Sequence, residues 1–239
     1  MTAEQPAFYA RPGTFSGDLI ALLHPPYTAW HLAYVAIGAT LAPTFDWTRL
    51  AGTLAAFFLG TGIAAHALDE RHDRPLGTSI SNRMLLALGL GGMAGAGILA
   101  VVGSFVISTW VLAWAICGGL LAAGYSLELH PWLHSDLGFA FSWGAFPTIV
   151  GYWAQTETVS PEILLVAAAM ALLSLAQRSL SKHARFVRRS ASRASVEFDV
   201  ARQVHQWSRE QLLMSWELPL QLLAAATVML AAALLVWRI

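Results

Sequence analysis

His66, Asp69 and Asp73 stand three and four residues apart in the string AAHALDERHDRP. On a helix that spacing puts the three side chains on one face, a turn apart. Two carboxylates so placed suit a hard divalent cation such as Mg2+, which commonly takes one or two protein carboxylates and completes its shell with water and phosphate oxygens. His66 adds an imidazole that can act as a ligand, as a proton acceptor or as a satisfied polar group of the interior. The same string also reads as a charged helix end, with Asp69, Glu70 and Asp73 paired to Arg71 and Arg74. Surface pairs of that kind contribute little.

The elements that position these residues follow from composition. Of 239 residues, 56% are hydrophobic and 12% charged, against about 25% charged in a soluble domain. A membrane-spanning helix needs about 20 mostly apolar residues. Seven segments meet that need, near 18–42, 48–69, 84–106, 108–126, 137–155, 161–177 and 212–237. The expectation is an all-α fold, a polytopic transmembrane bundle of about seven spans forming one domain over 1–239. Asp69 then ends the second span. A carboxylate at membrane depth is costly, faces a polar cavity and marks a function.

The net charge is zero, so no global field steers nucleic acid to the chain. The distribution of charge is more informative. Arg11, Arg71, Arg74, Arg83, Arg178, Lys182, Arg185, Arg188, Arg189, Arg193, Arg202 and Arg209 all fall on one side of a seven-span topology, leaving Arg49 and Arg238 on the other. The positive-inside rule makes the first side cytoplasmic, with the N-terminus inside and the C-terminus outside. A multi-pass protein of a bacterial or archaeal cell membrane is expected, without a cleavable signal in residues 1–17. The longest hydrophilic piece, 178–211, repeats Lys182, Arg185, Arg189 and Arg193 at three- and four-residue spacing. That period predicts a basic amphipathic helix lying on an anionic membrane surface. Asp136 is expected to cap the fifth span.

The string AAHALDERHDRPL resembles the first Asp-rich motif of the UbiA superfamily of intramembrane prenyltransferases, N-D-x-x-D-x-x-x-D at the cytoplasmic end of the second span. Asp69 and Asp73 match its later aspartates, Ala65 and His66 replace its first pair, and Arg74-Pro75 matches the R-P that often follows. LLHPPYTAWHL in the first span, GYSLE at the end of the fourth and LGFAFSWGAFPTIVGYWAQ in the fifth are similar to the equivalent family stretches. The resemblance covers roughly residues 18–177. It implies a helical bundle around a chamber open to lipid, where an isoprenyl diphosphate is ionised with the help of Mg2+ at Asp69 and Asp73 and the prenyl group passes to an acceptor. Tyr125, at the place of the family tyrosine, is implied to contact the diphosphate.

Departures are equally specific. The family's second Asp-rich motif, at the inner end of the sixth span, is replaced by SLAQRSLSKHARFVRR. Its one-turn spacing persists as Gln177, Ser181 and Arg185, with no carboxylate. Leu129 stands where the family has a lysine, and seven spans stand where it has nine. Either Arg178, Lys182 and Arg185 bind the diphosphate directly, since arginine suits bidentate phosphate contacts, or the basic stripe only follows the positive-inside bias. The sequence therefore leaves three functions: a prenyl transferase, a non-catalytic lipid-binding or lipid-transport protein on the same scaffold, and a small transporter whose aspartates relay protons. Convergence of Asp69, Asp73, Tyr125, Gln177 and Arg178 on one cavity is the observation that bears on the first, and dispersal of these residues would sink it.

Overall fold

The seven apolar segments all fall on helix in the computed structural model, which describes residues 6–10, 14–191 and 193–239. Arg11 lies outside the described residues. The elements run α1 (Phe15–Leu22), α2 (Pro25–Thr40), α3 (Trp47–Phe57), a π-helical segment Phe58–Ala65, α4 (His66–Asp73), α5 (Asn82–Val106), α6 (Trp110–Ser126), α7 (Asp136–Ala140), a π-helical segment Phe141–Ala145, α8 (Phe146–Thr156), α9 (Pro161–Ser190), β1 (Val196–Val200), β2 (Gln203–Trp207) and α10 (Arg209–Val236). Among the described residues, four helices are long and apolar enough to cross a membrane: Trp47–Asp73, which joins α3 through α4, then α5, α9 and α10.

Large apolar side chains point outward along these helices. Phe105 is 87% exposed, Leu165 74% and Met229 70%. Such a surface is stable against hydrocarbon and unfavourable against water. Inside, small residues bring backbones together, as they do where lipid supplies no hydrophobic drive between helices. A Cβ on Gly38 of α2 would lie 2.0 Å from Thr148 O, and one on Gly151 of α8 would lie 2.1 Å from Val35 O. Both positions require glycine, and α2 packs closely along α8 as a result.

The first apolar segment is two helices. Pro25 and Pro26 open α2, and His24 before them takes φ 45°, in the left-handed region. Proline disfavours the helical conformation in the residue before it and fits the first turn of a new helix. The break turns His24 inward.

The segment 178–211 differs from the amphipathic helix its period predicts. α9 continues without interruption from the apolar stretch to Ser190, carrying Lys182, Arg185 and Arg189. Residues 196–207 then form an antiparallel hairpin in the register Val196↔Trp207 and Val200↔Gln203. Ala201 and Arg202 make its turn, both with positive φ, the two-residue geometry that matches strand twist. Phe198 and Trp207 pack edge to face across the strands at 5.3 Å. The β-branched and aromatic Val196, Phe198, Val204 and Trp207 favour strand locally, and Arg202 falls in the hairpin turn and not on the α9 stripe. Asp136 also departs from expectation. Ser135 caps α7 by accepting from Gly138 N, while Asp136 is the first helical residue and turns to α9.

Candidate functional site

At the end of the bundle that carries α4 and the second half of α9 is a cavity of about 140 Å3. One face of α9 forms its longest wall, with Gln177, Arg178, Ser181, Ala184, Arg185, Arg188 and Arg189. These positions follow the helical period, so a single stripe is presented over more than three turns. The opposite wall is the π-helical segment and α4, through Thr61, Ala65, His66 and Asp69. Tyr125 and Ser126 close one side from the end of α6, and Glu217 and Leu220 of α10 close another. Pro6 to Tyr9 lie along the rim.

Four guanidinium groups thus face two carboxylates. Their commitments differ. Arg178 is almost fully engaged. Its Nε donates to Asp136 at 2.5 Å, one Nη donates to the Tyr125 hydroxyl at 2.6 Å, and the other donates to His134 O at 3.0 Å. It also lies over the Phe139 ring at 4.8 Å. Arg188 grips Glu217 with two bonds, from Nε and from Nη at 2.6 Å. Arg189 reaches Pro6 O at 3.5 Å. Arg185 forms no hydrogen bond or ion pair among the described residues and stands exposed at the cavity. Asp69 lies within electrostatic reach of both Arg185 and Arg189.

Of the residues singled out by sequence, His66, Asp69, Tyr125, Gln177, Arg178 and Arg185 meet at this cavity. Asp73, Lys182 and Arg74 do not. Asp73 ends α4 and is 70% exposed on its side chain, 3.9 Å from His72. Lys182 is 66% exposed and 3.8 Å from Asp136. Arg74 takes φ 52° and folds back to Thr78 O at 3.1 Å, Ile80 O at 2.7 Å and the Asn82 side chain. There it braces the inner loop. Glu70 braces the same loop, accepting from Leu76 N and Thr78 N at 2.8 Å. Asp18 of α1 accepts from Ser79 N at 2.8 Å.

Several wall residues escaped the sequence reading. His24 and His66 have ring centroids 4.4 Å apart, and the Tyr9 hydroxyl meets His24 Nδ1 at 2.5 Å. Tyr27, His31 and Trp143 complete the depth of the chamber. No spacing rule joins Tyr9, His24, His31 and Trp143, which come from separate elements. Arg188 and Arg189 continue the α9 stripe at three and four residues from Arg185 and were within reach of that rule.

Behind the chamber is a second cavity of about 750 Å3, whose walls include Gly60, Met93, Gly97, Leu112, Trp114, Phe146 and Trp153. Thr61 and Trp143 line both cavities, so the cationic chamber and the apolar one share a partition. Two sides of that partition are the π-helical segments, which recur at functional sites because they re-aim side chains within a helix.

Among the described residues, no group of three His, Cys, Asp or Glu side chains gathers to hold a metal ion. Glu217 is committed to Arg188 and Glu70 to the loop, so Asp69 is the carboxylate that the chamber offers to a cation. Comparison with protein-family models, curated proteins and solved structures gives no match to this chain.

Proposed function

We propose that the protein is an integral membrane transferase of UbiA-like character, moving a prenyl group from an isoprenyl diphosphate to an acceptor. One observation carries this reading: a chamber with four arginines abuts an apolar cavity of about 750 Å3 across Thr61 and Trp143. An amphiphile with an anionic head and a long hydrocarbon tail fits that pair of spaces. Each buried CH2 of the tail contributes about 0.8 kcal/mol, and each charge-assisted contact of the head contributes about twice a neutral one.

The residues divide the work. Arg185 and Arg189, the least committed cations, bind diphosphate oxygens and stabilise the charge that grows there as the carbon–oxygen bond breaks. Arg178, tied to Asp136, Tyr125 and His134 O, is a fixed cation that positions α9 against α6. Trp143, Tyr27 and the apolar wall keep water from the prenyl cation. Asp69 is the carboxylate that would hold Mg2+ beside a bound diphosphate, and the ion would supply further neutralisation of the leaving group. Seven spans, with the N-terminus and the basic chamber on the cytoplasmic side, agree with the one-sided distribution of arginine.

Incubating the purified protein with isoprenyl diphosphates of increasing chain length tests the reading. Release of diphosphate supports it, and retention of every donor intact with bound lipid replaces it with the second reading. That second reading is a non-catalytic lipid-binding protein, and the engagement of all three Arg178 nitrogens by protein partners favours it.

A further inference from the structure

The partition between the two cavities holds two polar atoms that the fold does not satisfy. His31 on α2 is 7% exposed and lines the chamber, and its Nδ1 has no hydrogen-bond partner. Ser142, in the π-helical segment 141–145, is 3% exposed and lines the apolar cavity, and its Oγ likewise has none. Trp143 stands between them, with its ring 5.6 Å from that of His31. Leaving a buried donor or acceptor unmet is costly, and buried polar groups nearly always have a partner.

The positions are informative. Ser142 lines a space whose walls are mostly aliphatic and aromatic and include none of the chamber's four arginines. A hydroxyl there binds a neutral polar group and rejects a charged one. Thr61, from the other π-helical segment, adds a second hydroxyl-bearing side chain to the same partition. Both irregular helical segments therefore deliver a hydroxyl side chain to one boundary.

We infer that this partition is a recognition site for the hydroxyl group of an otherwise apolar, uncharged molecule, an alcohol or phenol. A hydroxyl both donates and accepts, so it suits an unpartnered Ser142 Oγ or an unpartnered His31 Nδ1 in either tautomer. In the transfer proposed above this molecule is the acceptor. The binding site stands without that transfer, and only the role as acceptor rests on it.

The test compares farnesol with farnesene, the matching hydrocarbon, by equilibrium binding to the full-length protein in nanodiscs. The wild type is expected to prefer the alcohol by roughly tenfold, the worth of one buried hydrogen bond. Ser142→Ala or His31→Phe removes most of that preference and leaves farnesene affinity unchanged. Because Ser142→Ala deletes an unsatisfied hydroxyl, its ligand-free melting temperature is expected to match or exceed the wild type by roughly 2–4 °C, which keeps misfolding distinguishable. Equal or undetectable binding of both probes by the wild type overturns the inference, as does a preference unchanged in both variants. Farnesyl diphosphate binding is read on the same samples. Its absence beside an intact alcohol preference sinks the transferase reading alone, and the converse sinks the alcohol site alone.

Discussion

Arg178 and Tyr125 are joined by a 2.6 Å hydrogen bond from guanidinium to phenol. Through it the midpoint of α9 is fixed to the inner end of α6 across the mouth of the chamber. The same guanidinium holds Asp136, whose carboxylate is kept below the ordinary range chiefly by that hydrogen bond. Arg178 is thus the hub that sets the distance between the two walls, and Arg185 and Arg189 lie about two and three turns further along α9.

That hub makes a stability prediction. Tyr125→Phe is expected to cost about 1 kcal/mol, the net worth of one hydrogen bond. Asp136→Asn is expected to cost no more, because its carboxylate is 54% exposed and solvent screens the pair. Arg178→Gln, which removes the donor to Asp136, Tyr125 and His134 O, costs more than either. Thermal unfolding in nanodiscs checks the order, and a double-mutant cycle between Arg178 and Tyr125 is expected to be non-additive.

The α9 stripe predicts which basic residues matter to an anionic head. Arg185→Gln and Arg189→Gln are each expected to weaken farnesyl diphosphate binding roughly tenfold or more, as a lost charge-assisted contact requires. Lys182→Gln, on the exposed flank, is expected to change it less than twofold. Equal losses for all three would show that the effect is general surface charge.

The two aspartates separate in the same way. Asp69→Asn is expected to abolish any Mg2+ dependence of diphosphate release, while Asp73→Asn is expected to leave both rate and Mg2+ dependence near wild type. A Mg2+ titration of each variant reads this directly.

Helical spacing explains what could be read in advance. His66 and Asp69, or Gln177, Ser181 and Arg185, lie on one strip of one helix, and periodicity alone brings each strip to one surface. Asp73 obeys the same spacing and fails because the helix stops there, where Arg74 turns to positive φ in the service of the loop. No helical rule shows that end. In 178–211 the basic period and the strand-forming alternation of Val196, Phe198 and Val204 overlap, and the turn at Ala201 and Arg202 decides for a hairpin. His24 and His31 meet His66 through the break before Pro25 and the packing of α2, contacts that local pattern does not encode. The proline pair was the visible signal for the break.

Packing gives a prediction independent of function. Gly38→Ala and Gly151→Ala each drive a methyl group into a backbone carbonyl of the facing helix, 2.0 and 2.1 Å from Thr148 O and Val35 O. Backbone cannot yield as a side chain can, so each is expected to destabilise by at least about 3 kcal/mol. Gly97→Leu is the contrast. Nothing lies within 4 Å of its Cβ direction, so the variant is expected to fold and to narrow the apolar cavity. It weakens binding of the longest prenyl chains and spares the short ones.

The central claim is that one molecule occupies both cavities, head among the arginines and tail beyond Trp143. Photo-crosslinking with an isoprenyl diphosphate that carries a diazirine at the far end of its tail, followed by peptide mass spectrometry, tests it most directly. The account predicts adducts on the walls of the apolar cavity, at Met93, Leu112 or Trp114, which excess unlabelled donor suppresses and Arg185→Gln reduces. Adducts confined to the outward faces of α5 and α9, unchanged by competitor or by Arg185→Gln, would contradict it.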